Sequence, residues 1–320
     1  MVQYDIRDLG PYFWPAGVTD TGRVIGIRRE GVGGGVKHIS LIADDAVRDV
    51  GSLAGARSSI SAVNADGWLT GQIDVDGEHL HAFRHADGRL ADLGALHGDD
   101  SYGKDINDRG CVVGWSSVPA RPASPAWDDP GPRAALFDGV AMRDLGTLGG
   151  PCSFARGINN ADHIVGMAMV TDGEYRAFLF DAAGMRDLAG LTGEPAFNAW
   201  AINDAGQVAG TVRERAALWQ GGTLIDLGTR AGRRGIPLSI NDRGAVLGVQ
   251  YRLGTRPGSQ GQLGLPGFLW HDGVMRDLDE LLPPHVGWGR LSSRAINNLG
   301  QIVGRGEYLG QQHGFLLTPM

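Results

Sequence analysis

The sequence predicts an all-β chain folded as a seven-bladed β-propeller with four strands per blade. Three observations predict it: a glycine-bearing phrase that recurs along the whole chain, a spacing of about 45 residues between copies, the length of a four-stranded blade, and termini that start and stop at different points of the repeat. The phrase has the form I-N-D-x-G-x-V-x-G. It runs Ile106 to Gly114, Ile202 to Gly210, Ile240 to Gly248 and Ile296 to Gly304, with weaker copies at Val18 to Gly26, Val63 to Gly71 and Ile158 to Gly166. Repetition makes residues 1–320 a single propeller domain of seven repeats, where length alone, at about 150 residues per domain, would suggest two.

Strand one of each unit is the segment that ends at the Ile-Asn pair. The N-D-x-G that follows is a turn, because Asn, Asp and Gly tolerate left-handed backbone angles. Strand two is the V-x-G phrase. Strand three is an alanine or glycine followed by large apolar residues, as in Ala177-Phe178-Leu179-Phe180 and Gly267-Phe268-Leu269-Trp270. Strand four is M-R-D-L-G, as in Arg143-Asp144-Leu145-Gly146. Apolar residues alternate or run for three to five positions between turns, and no useful length shows a 3.6-residue period. The chain opens on a strand-four phrase, Tyr4 to Gly10, and closes on a strand-three phrase, His313 to Leu317. An N-terminal strand that completes the last blade closes the ring and removes two sheet edges. An open β-solenoid is the competing fold, but offset termini serve no purpose there.

Composition agrees. Glycine, at 52 of 320 residues, is roughly double its usual share, which suits the turn demand of about 28 short strands. A hydrophobic content of 42% with 20% charged residues excludes a disordered chain, and 15 prolines without a G-X-Y period exclude collagen. The formal charge of -7 argues against a nucleic-acid partner. No apolar run approaches the length of a membrane span. Met1 to Arg7 lacks the basic and apolar regions of a secretory signal, so the expectation is a cytoplasmic monomer. Cys111 and Cys152 make neither a disulfide framework nor a metal spacing and read as free thiols.

The phrases Asp144 to Gly150 (D-L-G-T-L-G-G), I-N-x-x-G-x-V-x-G and His81-Ala82-Phe83 resemble the HAF-type repeat, also described as an extracellular repeat of that name. The resemblance covers nearly the whole chain. It implies export for some relatives and carries no catalytic residues to transfer.

Function is expected where the repeats differ. Asn107, Asn159, Asn203, Asn241 and Asn297 recur in one slot, and Asp144, Asp187, Asp226 and Asp277 in another, so both sets read as turn and inter-strand hydrogen-bonding groups. The long connections Trp115 to Arg133 and Gln250 to Pro266 exceed a hairpin loop and read as a rim or lid over a pocket at the channel mouth.

Two positions before each isoleucine, or the valine that replaces it at Val18 and Val63, stand Ala16, Ser61, Lys104, Arg156, Trp200, Leu238 and Arg294; four before stand Trp14, Ser59, Tyr102, Phe154, Asn198, Ile236 and Ser292. Strict alternation puts both sets on one strand face, the channel wall. Trp14, Phe154, Asn198 and Trp200, with the cations Arg156 and Arg294, then form a substrate-binding surface for an anionic or aromatic ligand.

The chain has only two lysines, Lys37 and Lys104. Lys104, flanked by Tyr102 and by Asp105, which breaks a small-residue slot, is a candidate for proton transfer. His97, beside Asp99 and Asp100, is the general-base candidate, with Glu194 and His285 in corresponding loops. No metal site is expected. Glu78, His79, His81 and His85 cluster, but His81 fills a repeat slot that His313 also fills, and Asp74 to Gly77 does not match a calcium loop. HExxH, GxxxxGK[ST] and GxSxG are absent.

Two functions are therefore expected to compete. One is an enzyme without a metal or nucleotide cofactor, doing acid-base chemistry of a lyase, isomerase or cyclase on a small molecule, as in natural-product metabolism. The other is a non-catalytic propeller that binds a protein or glycan. The inequality of the seven wall positions favours the small-molecule reading.

Overall fold

The computed structural model describes residues 3–29, 37–43, 46–53, 55–96, 99–118, 131–194, 197–229, 233–252, 265–284 and 286–320. Its strands make seven four-stranded sheets. The N-terminal strand β1 is Tyr4–Pro11. The first sheet holds β2 (Phe13–Val18), β3 (Val24–Arg29), β4 (Lys37–Ala43) and β5 (Ala46–Leu53). The second holds β6 (Ser59–Val63), β7 (Leu69–Asp74), β8 (Leu80–Ala86) and β9 (Arg89–Asp92). The third holds β10 (Ser101–Ile106), β11 (Val112–Ser116), β12 (Arg133–Phe137) and β13 (Met142–Asp144). The fourth holds β14 (Gly149–Ile158), β15 (Ile164–Val170), β16 (Tyr175–Asp181) and β17 (Gly184–Asp187). The fifth holds β18 (Phe197–Ile202), β19 (Val208–Val212), β20 (Arg215–Gln220) and β21 (Thr223–Asp226). The sixth holds β22 (Arg233–Ile240), β23 (Val246–Arg252), β24 (Gly267–His271) and β25 (Val274–Asp277). The seventh holds β26 (Trp288–Ile296), β27 (Ile302–Tyr308) and β28 (Gln311–Pro319), and β1 completes it. Pairing between β1 and β28 runs antiparallel from Tyr4 opposite Pro319 to Pro11 opposite His313.

The chain falls into two compact units, 1–52 with 207–320, and 53–206. In both, the core lies between neighbouring sheets. In the second unit Val113, Leu136 and Leu145 of the third sheet and its flank pack on Ala155, Ile158, Ile164 and Phe178 of the fourth. In the first unit Leu247 and Leu269 of the sixth sheet meet Leu291, Ile302 and Phe315 of the seventh. Leu9, Val303 and Leu316 of the seventh meet Phe13, Val24 and Ile42 of the first. Phe83, Phe178, Phe268 and Phe315 of the strand-three phrase are fully buried, each removing a large apolar surface from water, worth about 2–3 kcal/mol.

The repeat asparagines join one blade to the next. Asn159 is buried, and its Oδ1 accepts the N–H groups of Ala161 and His163, which fixes its own turn. Its Nδ2 donates to the Asn203 carbonyl of the next repeat at 3.0 Å. The same relay runs from Asn64 to Asn107 and from Asn107 to Asn159 in the second unit, and from Asn241 to Asn297 and on to Thr19 in the first. The position after each asparagine forms an outer tier. Asn160 Nδ2 bridges Asp108 and Asp204, and Asn298 Nδ2 bridges Asp20 and Asp242.

Strand one departs from strict alternation. Its pairing with strand two shifts between Pro15 and Gly17, Ile60 and Ala62, Gly103 and Asp105, Ala155 and Gly157, Pro237 and Ser239, and Ser293 and Ala295. The extra residue in each bulge is Ala16, Ser61, Lys104, Arg156, Leu238 or Arg294. A bulge re-aims its side chain and resets the faces beyond it, so period two alone does not fix the face that these bulge residues present. Tyr102 and Asp105 do share a face, since they oppose Trp115 and Val113.

The bulge also accounts for the glycine of V-x-G. A methyl on Gly114 would overlap the Tyr102 carbonyl oxygen, and one on Gly166 the Phe154 carbonyl oxygen. These glycines serve close backbone approach inside a strand, so turn demand explains only part of the glycine content. Among the described residues two short helical segments also interrupt the all-strand expectation, Ala189–Thr192 and a 3-10 turn at Leu278–Leu281, the latter held by a capping box between Asp277 and Glu280.

Candidate functional site

In the second unit the structure gathers several of the expected site residues. The bulge residue Arg156 lays its guanidinium over the Trp200 ring, 4.0 Å from the centroid. Arg156 Nη1 donates to the Ala199 carbonyl at 3.3 Å. Among the described residues no carboxylate forms an ion pair with Arg156, and burial lowers its pKa to about 10. Trp200 Nε1 is buried without an acceptor among the described residues. Two hydrogen-bond donors thus stand side by side with capacity left over.

Tyr102 stacks on Trp115 at 3.8 Å, Trp115 meets Phe154 edge-on at 5.7 Å, and Phe154 leans on Tyr175 at 6.1 Å. This aromatic run crosses from the third sheet to the fourth. Lys104 Nζ lies 5.9 Å from the Tyr102 ring centroid, within cation–π range. Burial raises the Tyr102 phenol above its ordinary value. Asn198 is half-buried on β18.

Asp105 is placed differently from a group free to exchange protons with a ligand. Its Oδ1 accepts the Ile106 N–H and its Oδ2 the Ile158 N–H, so it ties the third sheet to the fourth. Burial pushes its carboxyl up to about 6, and the two backbone donors offset only part of that shift. A folded-state acid weaker than the unfolded one, near 4, binds its proton longer in the native protein. Its contribution to stability is full below the unfolded pKa and falls as pH rises to the folded one. Asp105→Asn is expected to flatten the pH dependence of urea-unfolding stability between about pH 4 and 6, by at most about 3 kcal/mol across that window. A pH profile parallel to the wild type would show that this carboxyl does not titrate there.

In the first unit Trp14 meets two cations that stand on the second strands of their blades. Arg29 from the end of β3 and Arg305 from β27 place their guanidinium carbons 3.7 and 4.6 Å from the Trp14 ring centroid. Arg294, the bulge residue of β26, contributes a further positive charge that Arg305 feels. Burial lowers the pKa of Arg294 as well.

Trp115 and Arg305 lie on strand two, outside the strand-one slots from which the wall is predicted. Both occupy the slot after the V-x-G glycine, directly opposite Tyr102 and Ser292. That slot is unequal across the repeats, holding Ile27, Gln72, Met167, Thr211 and Val249 in the other five, and Arg305 is its one charged residue.

The strand-three histidines have a repeat-wide role. His81 Nδ1 pairs with Asp92, His38 Nδ1 with Asp49 and His313 Nδ1 with Asp8, each joining strand three to strand four. Arg176 with Asp187 and Arg215 with Asp226 do the same. His79 Nδ1 is 2.7 Å from Asp76, which raises its pKa above the ordinary value. Among the described residues no group of three His, Cys, Asp or Glu side chains is arranged to hold a metal ion. His97, His285 and the central parts of the two long loops, 119–130 and 253–264, lie outside the described residues.

No family model matches the sequence, and no curated protein matches it, so the resemblance to HAF-type repeats rests on the repeat phrases. Solved structures do match. The β-propeller domain of the Trilobed protease from Pyrococcus furiosus is similar at TM-score 0.60 and 12% identity, over 97% of this chain and 94% of that one. That domain has an open velcro topology, whereas here β1 and β28 are paired. YCF48 bound to D1 peptide matches at TM-score 0.55 and 12% identity, over 99% and 97%. Acylaminoacyl peptidase from Pyrococcus horikoshii matches at TM-score 0.52 and 13% identity over 92% of this chain, which spans 50% of that chain's length. With seven four-stranded sheets, these likenesses show the fold to be a seven-bladed β-propeller.

Proposed function

We propose that this propeller binds a small molecule that presents an oxyanion or carbonyl oxygen beside an apolar ring. The observation that carries the reading is the Arg156–Trp200 pair, a guanidinium and an indole N–H with donor capacity left over among the described residues. A single ligand oxygen group engages both donors, and a carboxylate also balances the guanidinium charge. The run Tyr102, Trp115 and Phe154 supplies aromatic surface on the same unit. Calorimetric titration with benzoate as the probe is expected to give saturable binding that weakens about 10-fold or more in Arg156→Met, the usual loss for a charge-assisted hydrogen bond. Uncharged benzamide is expected to bind more weakly. Equal affinity for benzamide, or unchanged benzoate affinity in Arg156→Met, counts against the reading.

Acid-base catalysis of lyase, isomerase or cyclase type extends the same reading through Lys104 and Tyr102. Their supporting contact is the cation–π approach at 5.9 Å. Once a substrate is in hand, Lys104→Ala is expected to reduce turnover by about 100-fold, the lower range for loss of a general acid or base, without lowering thermal stability. Full turnover in that variant would leave a binding propeller without this chemistry.

A further inference from the structure

Buried or half-buried guanidinium groups close enough to feel one another are costly unless something neutralises them, because each charge disfavours its neighbour and burial disfavours both. The first unit contains such an arrangement. Arg29 and Arg305 converge on Trp14, and neither forms an ion pair with a carboxylate among the described residues. Arg29 Nε is buried and has no acceptor among the described residues. Burial, then the charge of Arg29, then that of Arg294 lower the Arg305 pKa to about 10. A merely structural cation–π contact needs one cation per ring. Here the indole carries two, with Arg294 close enough to be felt.

We infer that Arg29 and Arg305, aligned by Trp14 and reinforced by the charge of Arg294, form a binding site for an oxyanion carrying two or more negative charges, a phosphomonoester or a dicarboxylate. Two planar guanidinium forks match the paired oxygens of such groups, and the second negative charge is what two convergent cations select over a monoanion. Arg29 is the last residue of β3, opposite Lys37 of β4, and Arg305 lies opposite Ser292, so both stand at strand positions that do not of themselves require an arginine. The site is separate in its residues from Arg156 and Trp200, and it tests separately.

The probes are inorganic phosphate, malonate and acetate, each compared with chloride at matched ionic strength, read by thermal shift and by calorimetry. Phosphate or malonate is expected to raise the melting temperature saturably, and acetate no more than chloride does. Whichever dianion binds more tightly identifies the phosphoryl or the dicarboxylate source. Arg305→Met is expected to weaken dianion affinity at least 10-fold and to melt no lower than the wild type without dianion, since it relieves like-charge repulsion. Arg305→Lys keeps the charge without the fork and is expected to retain only part of the affinity, which decides the matter should the methionine variant fold poorly. The dianion response is expected to persist in Arg156→Met, so failure of the benzoate reading leaves this one standing, and the reverse. A dianion effect no larger than that of chloride would overturn the inference, as would an undiminished effect in Arg29→Met/Arg305→Met.

Discussion

Replacing Gly166 by alanine is expected to destabilise the protein by about 3 kcal/mol or more, near the upper range for an overpacked position. The added methyl would meet the Phe154 carbonyl oxygen, the Phe178 ring and the Ala155 backbone together. None of these can move freely: Phe154 is paired with Met167 beside the bulge, and Phe178 is fully buried between the third and fourth sheets. Gly206→Ala is the comparison. Gly206 has φ of 75° and nothing within 4 Å of an added methyl, so its cost is conformational only, about 1 kcal/mol for an L-residue in the left-handed region. Chemical denaturation of the two variants is expected to separate them by at least about 2 kcal/mol. Equal costs would mean that the bulge yields to the methyl.

Asn159→Ala is expected to cost about 3 kcal/mol, because it removes three hydrogen bonds from a buried position, one of them the link to the Asn203 carbonyl of the next repeat. Asn159→Asp keeps the two accepting contacts but sets a carboxylate against that carbonyl. It is expected to be at least as damaging at neutral pH and to recover part of the loss in acid, where the carboxyl can donate. Urea unfolding at two pH values distinguishes the variants. Indifference of both would show that the blade-to-blade relay contributes little.

The architecture was legible because each repeat writes all four strands in a separate phrase, and because the chain starts one strand out of phase with where it stops. Register was less legible. Strict alternation from Trp14 to Ala16, or from Tyr102 to Lys104, misses a bulge that appears in sequence only as an unexplained glycine on the partner strand. The asparagine slot was recognised as hydrogen bonding, but that Nδ2 of Asn159 reaches the next blade while Oδ1 stays in its own turn depends on how sheets stack.

The candidate site was legible in part. Lys104, Arg156 and Arg294 stood out because they replace small or apolar residues in a repeat slot, and that slot proves to be the bulge. Asp105 stood out for the same reason, yet both its oxygens hold backbone N–H groups, a role its identity does not announce. Arg29, Trp115 and Arg305 come from the adjacent strand and join the site only through cross-strand pairing and the meeting of two sheets, which single-strand periodicity does not encode.

The central claim is that the Arg156–Trp200 donors receive a ligand oxygen. Amide-type correlation spectra of the tryptophan indole N–H groups during a benzoate titration test it most directly, with Trp200→Phe identifying the Trp200 signal. The account predicts that this resonance shifts downfield and saturates with the calorimetric affinity. A Trp200 signal that stays in place while benzoate binds would contradict it.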